Sequence, residues 1–561
     1  MPTEPTPKTK TASPEAWKPP AGKPLPDRPD PAVTKPPAPA PSFTMRPVHG
    51  PWPPITGFGR RWSGPARPLN PAAAGLLILA AAVAAVSVPL DRGGVGWLVT
   101  ALVGTAVLVV IPLVPARPTA ADRLMPALTV ARRPADPARF AWAAATVALL
   151  GVGTVRSAGW LVLLCLATAV VTGALAVTGG RSMREMTAAT LFSLVAPFRA
   201  LPWVSTALTG LRRGAPRGNH TRVAATIATA VALLAVFGAL FASADETFAR
   251  LIESALPEVD VPVLIRWAFV FVVAGGVLAG SAFLRAGPPS PSTAEGAVRK
   301  VTRFEWAFPL GLLVLLFAAF VAVQLTVLFG GFDHVMETDN LTFASYARSG
   351  FWQLLIVTGL TLLVLAGAAR WAPRENRTDR ILIRAILGAL AVLTLIIVAS
   401  ALHRMTVYAD TYGLTRLRLV VGLCEAWLGV VFAMIVVAGI KLRAAWLPRV
   451  AVALGVLTLL GLAAVNPDGL IADRNVARFQ QTGRIDTAYL SGLSADAVPA
   501  LDRLNALDQE KADCILGSIK IRLNGDPDDW RGWSYGRAHA REMLRARPPA
   551  ITPACTYGYR D

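Results

Sequence analysis

The chain has 561 residues, 54% of them hydrophobic and only 16% charged, with a mean hydropathy of +0.49. That balance excludes an ordinary water-soluble enzyme. The formal net charge of +20 does not point to nucleic acid, because no soluble segment carries a basic patch interleaved with aromatic residues. The excess lies in the N-terminal arm and in alternate connections between apolar runs.

Residues 1–70 hold 20 prolines with scattered Lys and Arg and few large apolar side chains. Such a segment buries too little surface to offset its ordering entropy, and it reads as a disordered, proline-rich cytoplasmic arm with polyproline II character. Its PxxP spacing at Pro36 to Pro39 follows from composition as readily as from an SH3-type partner. With no apolar core near the start, a cleavable signal peptide is not expected, and the run from Ala72 to Leu90 is read as an uncleaved signal anchor.

About 20 apolar residues in a helix cross the roughly 30 Å hydrocarbon core. That length predicts spans near 72–90, 95–114, 140–155, 159–178, 223–242, 263–284, 307–330, 351–369, 381–402, 419–440 and 449–465. The predicted fold class is therefore all-α: a polytopic transmembrane bundle of about 11 spans over 71–465, with a helical module over 466–561. The third span is short and calls for tilt or local thinning.

The connections alternate in charge. Residues 115–139 carry Arg117, Arg123, Arg132, Arg133 and Arg139, and 179–222 carry seven arginines from Arg181 to Arg222. The connections at 285–306, 370–380 and 441–449 are basic as well. The others are tiny (91–94) or acidic, with Asp245, Glu246 and Glu253 in one and Asp333, Glu337 and Asp339 in another. The positive-inside rule places the N-terminus in the cytoplasm and the C-terminal module outside the plasma membrane. The connection 403–418 departs from the pattern, being external yet carrying Arg404, Arg416 and Arg418.

In the tail, Ile485, Tyr489 and Leu493, then Val498, Leu501 and Leu504, recur at helical spacing. Asp496 is read as an N-cap with Pro499 in the following turn. Amphipathic pieces near 508–523 and 534–546 bring the expectation to about four short helices and no strands. Cys165 and Cys424 lie within spans as small hydrophobes. Cys514 and Cys555 both lie in the tail, on the oxidising side, and a disulfide between them is expected.

Several stretches resemble an uncharacterised actinobacterial family of multi-pass membrane proteins, domain of unknown function 4153/4173. They are Ala244-Asp-Glu-Thr-Phe248, Tyr412-Gly-Leu-Thr-Arg-Leu-Arg418, Asn466-Pro-Asp-Gly-Leu-Ile471 leading to Asn475, and the run from Asp486 to Leu501. The resemblance implies a bacterial plasma-membrane protein of this layout and supplies no activity or catalytic residues.

Glu425 stands about two turns into the tenth span, where a charge costs roughly 2.5–3.5 kcal/mol on insertion scales. Arg418 shares its face and Arg266 lies near the external end of the sixth span, so either an ion pair or a proton-carrying or ligand-binding carboxylate would account for it. Gln324 in the seventh span suits a helix–helix hydrogen bond. The external loops gather Asp245, Glu246, Asp333, His334, Glu337, Asp339, His403 and Asp410, types that can bind a divalent cation. Orientation alone also produces acidic external loops, and no metal or cofactor is assigned. His403 to Arg418 reads as a short interfacial helix in which Tyr408 and Tyr412 share a face, Gly413 ends it and Thr415 caps the next span. Gly276 and Gly280 form a GxxxG pair for close helix packing, within the bundle or between protomers. Asp526, Asp528 and Asp529 lack the glycine and glutamate of a calcium loop, and Trp530, Trp533 and Tyr535 are expected to pack within the module or at the membrane interface.

No Walker A loop, GxGxxG turn, HExxH or GxSxG elbow is present. The reading is a non-enzymatic envelope scaffold or sensor, with a transporter or lipid-handling protein built on Glu425 and a lipid-linked transferase as alternatives. Its expected partners are the lipid bilayer and an envelope protein or lipid, not nucleic acid, with a homo-oligomer left open.

Overall fold

A computed structural model describes Trp62, residues 64–65, 67–113, 136–180, 182–214, isolated positions between 226 and 245, and 261–289, 302–329, 351–372, 376–441, 444–525 and 527–550. Eleven helices run through the apolar part: α1 Pro71–Ser87, α2 Val95–Val110, α3 Pro137–Val155, α4 Gly159–Thr178, α5 Met183–Gly214, α6 Val261–Ala286, α7 Arg303–Phe329, α8 Phe351–Trp371, α9 Arg377–Tyr412, α10 Arg416–Lys441 and α11 Leu447–Val465. The tail adds α12 Pro467–Thr482, α13 Thr487–Ser491, α14 Val498–Leu501, α15 Gln509–Asn524 and α16 Tyr535–Ala546, with 3-10 turns between them. No strand occurs among the described residues, as the all-α reading requires. Nine of these helices, α3 to α11, are long and apolar enough to cross a membrane, while α1 and α2 are shorter.

Local chemistry sets many of the boundaries. Asn70 and Asp136 cap α1 and α3 through Ala72 N and Ala138 N, each followed by proline at the first helical position, where its missing N–H costs nothing. Gly179 and Gly413 end α4 and α9 at φ 73° and 84°, a backbone region that β-carbons disfavour.

Three features differ from the sequence reading, and one expected span falls outside what the structure describes. Residues 183–214, read as part of a basic connection, form α5, because Arg184, Arg199, Arg212 and Arg213 are separated by apolar residues at helical spacing. The span expected at 223–242 lies almost wholly outside the described residues. His403 to Tyr412 is not a separate interfacial helix: α9 continues through it for 36 residues, about 54 Å at 1.5 Å per residue, because nothing before Gly413 interrupts it. Trp62, assigned to the proline-rich arm, is 1% exposed, its indole donating to Gly287 O at 2.8 Å. The rest of that arm, with its PxxP spacings, lies outside the described residues, apart from a few positions between 64 and 70.

The two ends of the bundle are chemically distinct. At one end, Arg139 donates to Thr178 O, Arg285 to Leu108 O and Arg449 to Gly180 O. These guanidinium groups sit where helix C-termini present unsatisfied carbonyls and the negative end of the macrodipole. At the other end lie the connections 88–94, 156–158 and 413–415, and the tail module packs on all three. GxxxG packing is intramolecular: Gly280 lies so near Pro197 of α5 that a Cβ would come within 2.7 Å of Pro197 N.

Candidate functional site

The site is the junction between the module and the bundle, with one buried acid beneath it. Its framework is the turn from α11 into α12. Asn466 takes φ 60°, a left-handed conformation that asparagine tolerates better than most residues. Its Oδ1 accepts from Gly469 N at 3.1 Å and its Nδ2 donates to Asp496 O at 2.8 Å. Pro467 then starts α12, so the chain turns onto the bundle end without a loop and puts Asp468 in the first turn.

Asp468 is fully buried. It accepts from Arg416 Nε at 3.0 Å and Nη2 at 2.5 Å, from Trp160 Nε1 at 3.0 Å and from Ser494 N at 2.8 Å. Burial pushes its pKa up, but the hydrogen bond and charge of Arg416, with the Ser494 contacts, outweigh it and hold the carboxyl below its ordinary range. Arg416 N also donates to Tyr489 Oη at 2.6 Å. One buried carboxylate thereby ties together α4, α10, α12 and the module's interior.

Asp496 does not cap its own helix as expected; Ser494 precedes that 3-10 turn. Its Oδ2 accepts from Ser157 N at 2.7 Å and Ala158 N at 3.1 Å, capping α4 from across the junction, where Ala158 has no side chain able to do so. Burial raises its pKa, against the lowering effect of those N–H donors and of Arg156. Oδ1 has no hydrogen-bond partner. Arg156 in turn donates to Ala463 O at 2.6 Å and Ala464 O at 2.8 Å, closing the end of α11. A cavity of about 180 Å³ opens beside Asn466, Asp473, Asp496 and Arg503, and Arg503 pairs with Asp473.

Asp528 holds the third contact. It accepts from Arg92 Nη1 at 3.2 Å, Arg537 Nε at 2.9 Å and Arg541 Nη1 at 2.5 Å. Arg537 Nη2 reaches Gly93 O at 2.8 Å, while Trp533 O and Arg531 O accept from Val95 N and Gly96 N at 3.1 and 3.0 Å. The first N–H groups of α2 are thus satisfied by the module. A fourth set grips the end of α9, with Arg478 donating to Thr411 O at 2.6 Å and Asn475 to Leu414 O at 2.8 Å. Cys514 is disulfide-bonded, and its expected partner Cys555 lies outside the described residues.

Glu425 follows Arg416 by nine positions in α10, about 13 Å along the axis. It is fully buried, and neither carboxylate oxygen has a hydrogen-bond partner. The expected ion pair with Arg418 does not form: Arg418 turns back to Tyr412 O and Gly413 O and lies over Tyr408, 4.2 Å from the ring centroid. Arg266 Nε and Nη2 are likewise buried without a hydrogen-bond partner. Gln324 behaves as expected, its Oε1 accepting from Ser400 Oγ at 2.6 Å between α7 and α9.

Of the acidic set, Glu246, Asp333, His334, Glu337 and Asp339 lie outside the described residues. Asp245 is described, and His403 and Asp410 are exposed on α9. No cluster of three His, Cys, Asp or Glu side chains able to hold a metal occurs among the described residues. Tyr408 and Tyr412 share a face with ring centroids 5.0 Å apart, and Thr415 Oγ1 accepts from Arg418 N at 3.3 Å. Trp530, Trp533 and Tyr535 are exposed rather than packed inside the module.

Sequence reasoning missed Asp468 and Arg416 as a pair, and Arg92, Arg156, Arg537 and Arg541 as junction residues. The signal available was the Asn466-Pro-Asp-Gly turn, whose aspartate needed a partner once buried.

Helices of this length and apolarity, stacked with a polar helical module on one end, define a multi-pass helical membrane protein. Residues 144–504 match the family described as Domain of unknown function (DUF4153), and the chain belongs to it. The match takes in α4 to α14 and most of α3, and with them Asp468, Asp496, Arg416 and Glu425. No curated protein and no solved structure matches the chain.

Proposed function

We propose that this chain is a non-enzymatic scaffold or sensor of a bacterial envelope, set in the plasma membrane with its N-terminus cytoplasmic and its helical module outside. One observation carries the reading: Asp468 and Asp496, both buried, and Asp528, whose side chain is enclosed by Arg92, Arg537 and Arg541, bind the module to the bundle rather than face a substrate. A module bolted to three connections transmits displacement to the helices it holds, which is what a sensor or assembly platform requires. The exposed Trp530, Trp533 and Tyr535 would meet a headgroup layer or an envelope protein partner. A Cys514–Cys555 bridge, suited to an oxidising exterior, would close the tail.

The test is complementation of a strain lacking the gene, scored by survival under osmotic or detergent challenge. Asp468→Ala combined with Asp528→Ala should fail to complement while the protein still reaches the membrane, and Glu425→Gln should complement fully. The reverse pattern would discard the scaffold. A second reading, a transporter or lipid-handling protein, is favoured by the unpaired Glu425 carboxylate, since buried acids inside membrane bundles commonly carry protons. In that case Glu425→Gln abolishes proton uptake by reconstituted vesicles.

A further inference from the structure

Helix α5 is long and apolar enough to cross a membrane, yet its partners lie at the arginine-bearing end of the bundle. It starts just after Gly180, whose carbonyl accepts from Arg449 at 3.1 Å beside the start of α11. Phe192 meets Trp62 edge-on with centroids 5.1 Å apart. Arg199 donates to Trp62 O at 2.9 Å and lies 4.9 Å over its indole. Trp203 donates to Arg67 O at 2.9 Å and packs on Phe283 at 5.7 Å. Ala207 is buried in a cluster with Leu69, Ala73, Val107 and Ala282, which lie before the start of α1, in its first turn, and in the closing turns of α2 and α6.

A helix rising straight from Gly180 would carry Ala207 about 40 Å away, to the end where the module sits. Ala207 instead packs at the level where α5 began. Two prolines, Pro197 and Pro202, lie inside the helix, each removing a backbone bond and permitting a bend. Pro197 seats on Gly276 and Gly280 of α6, so the position where a bend is permitted is the one packed against the bundle.

The outward face carries Leu191, Leu194, Val195, Phe198 and Leu201, all exposed, Phe198 at 72%. Their spacing places them on one stripe. Exposed Arg184 and Thr187 precede the stripe and Ser205 follows it. We infer that α5 does not cross the bilayer but lies in the leaflet at the arginine-bearing end, with its stripe among the acyl chains of that leaflet alone. Arg139, Arg285 and Arg449, at the same level, complement the phosphate layer above those chains.

The test uses single cysteines in the full chain in intact cells, probed with a membrane-impermeant maleimide and with the unsubstituted protein as blank. Ser182→Cys and Ser205→Cys should label from the same side as Thr302→Cys, and from the side opposite to Ala488→Cys in the module. Labelling of Ser205→Cys from the module side would show that α5 crosses and would overturn the inference. A nitroxide on Phe198→Cys, or on Leu191→Cys where the first variant folds poorly, should in lipid vesicles be relaxed more by oxygen than by a water-soluble nickel complex. The opposite order would place the stripe in water and equally overturn it.

Discussion

Asp468 receives Arg416 through two parallel contacts, Nε to Oδ1 and Nη2 to Oδ2, and this fork joins the first turn of α12 to the first turn of α10. Arg416 is about a third exposed and reaches water when Asp468 is removed, so the cost lies mainly in the donors of Trp160 and Ser494 that lose their acceptor, about 1–3 kcal/mol. Asp468→Ala should therefore expose the module to limited proteolysis at temperatures where the native chain resists. Arg416→Lys, which keeps charge but loses the fork, should fall between the two. Equal resistance in all three would show that the pair contributes nothing to docking.

The junction should respond to pH in two opposed ways. Asp468 is held below its ordinary range by Arg416, so its contribution is present above that range and is lost only as pH falls through the depressed value. Asp496 is raised by burial, so its contribution is fullest below the ordinary carboxylate value and declines as pH rises through the raised one. Asp496→Asn keeps an acceptor for Ser157 N and Ala158 N without the buried charge. It should melt at or above the native temperature at neutral pH, with the gap closing towards about pH 4. Asp496→Ala, which leaves those two donors unmet, should lose about 1–3 kcal/mol at either pH. Melting curves in detergent at both pH values measure this.

Glu425 is buried with neither oxygen bonded, a cost that an apolar side chain of similar size avoids. Glu425→Leu should raise the melting temperature of the purified protein, by an amount corresponding to about 1–3 kcal/mol. A lower melting temperature would mean that the carboxyl has partners that stabilise the bundle.

Gly280 and Gly276 should tolerate alanine unequally. A Cβ at Gly280 meets the backbone of Ala196 and Pro197 at 2.9 and 2.7 Å, whereas one at Gly276 meets only Pro197 Cβ, at 3.5 Å. Backbone cannot yield as a flexible side chain does. Gly280→Ala should cost about 1–3 kcal/mol and Gly276→Ala little, as read by thermal melts of the two variants.

Helical class was legible because apolar runs of spanning length leave few alternatives in 71–465. The ends of α9 and α10 were legible too, since Gly413 and Thr415 act through their own neighbours. What escaped was long-range. Trp160 lies 308 positions from Asp468 and Arg416 lies 52 away, so no local pattern links them. Asp496 looked like a cap because it stands two residues before Val498, and it is a cap, but of α4. α5 was missed because counting arginines by connection ignores the helical spacing of the residues between them. Glu425 was visible as an oddity, yet the partner assigned by spacing, Arg418, had nearer carbonyl acceptors at the end of α9.

The way Asp496 closes α4 bears on how the chain is made. Ser157 and Ala158 leave the ribosome more than three hundred residues before Asp496, so the start of α4 stays uncovered through most of synthesis. The early hairpins must wait in the bilayer with those donors open until Asp496 arrives. Nascent chains stalled before residue 496 should therefore be the ones that quality-control proteases recognise.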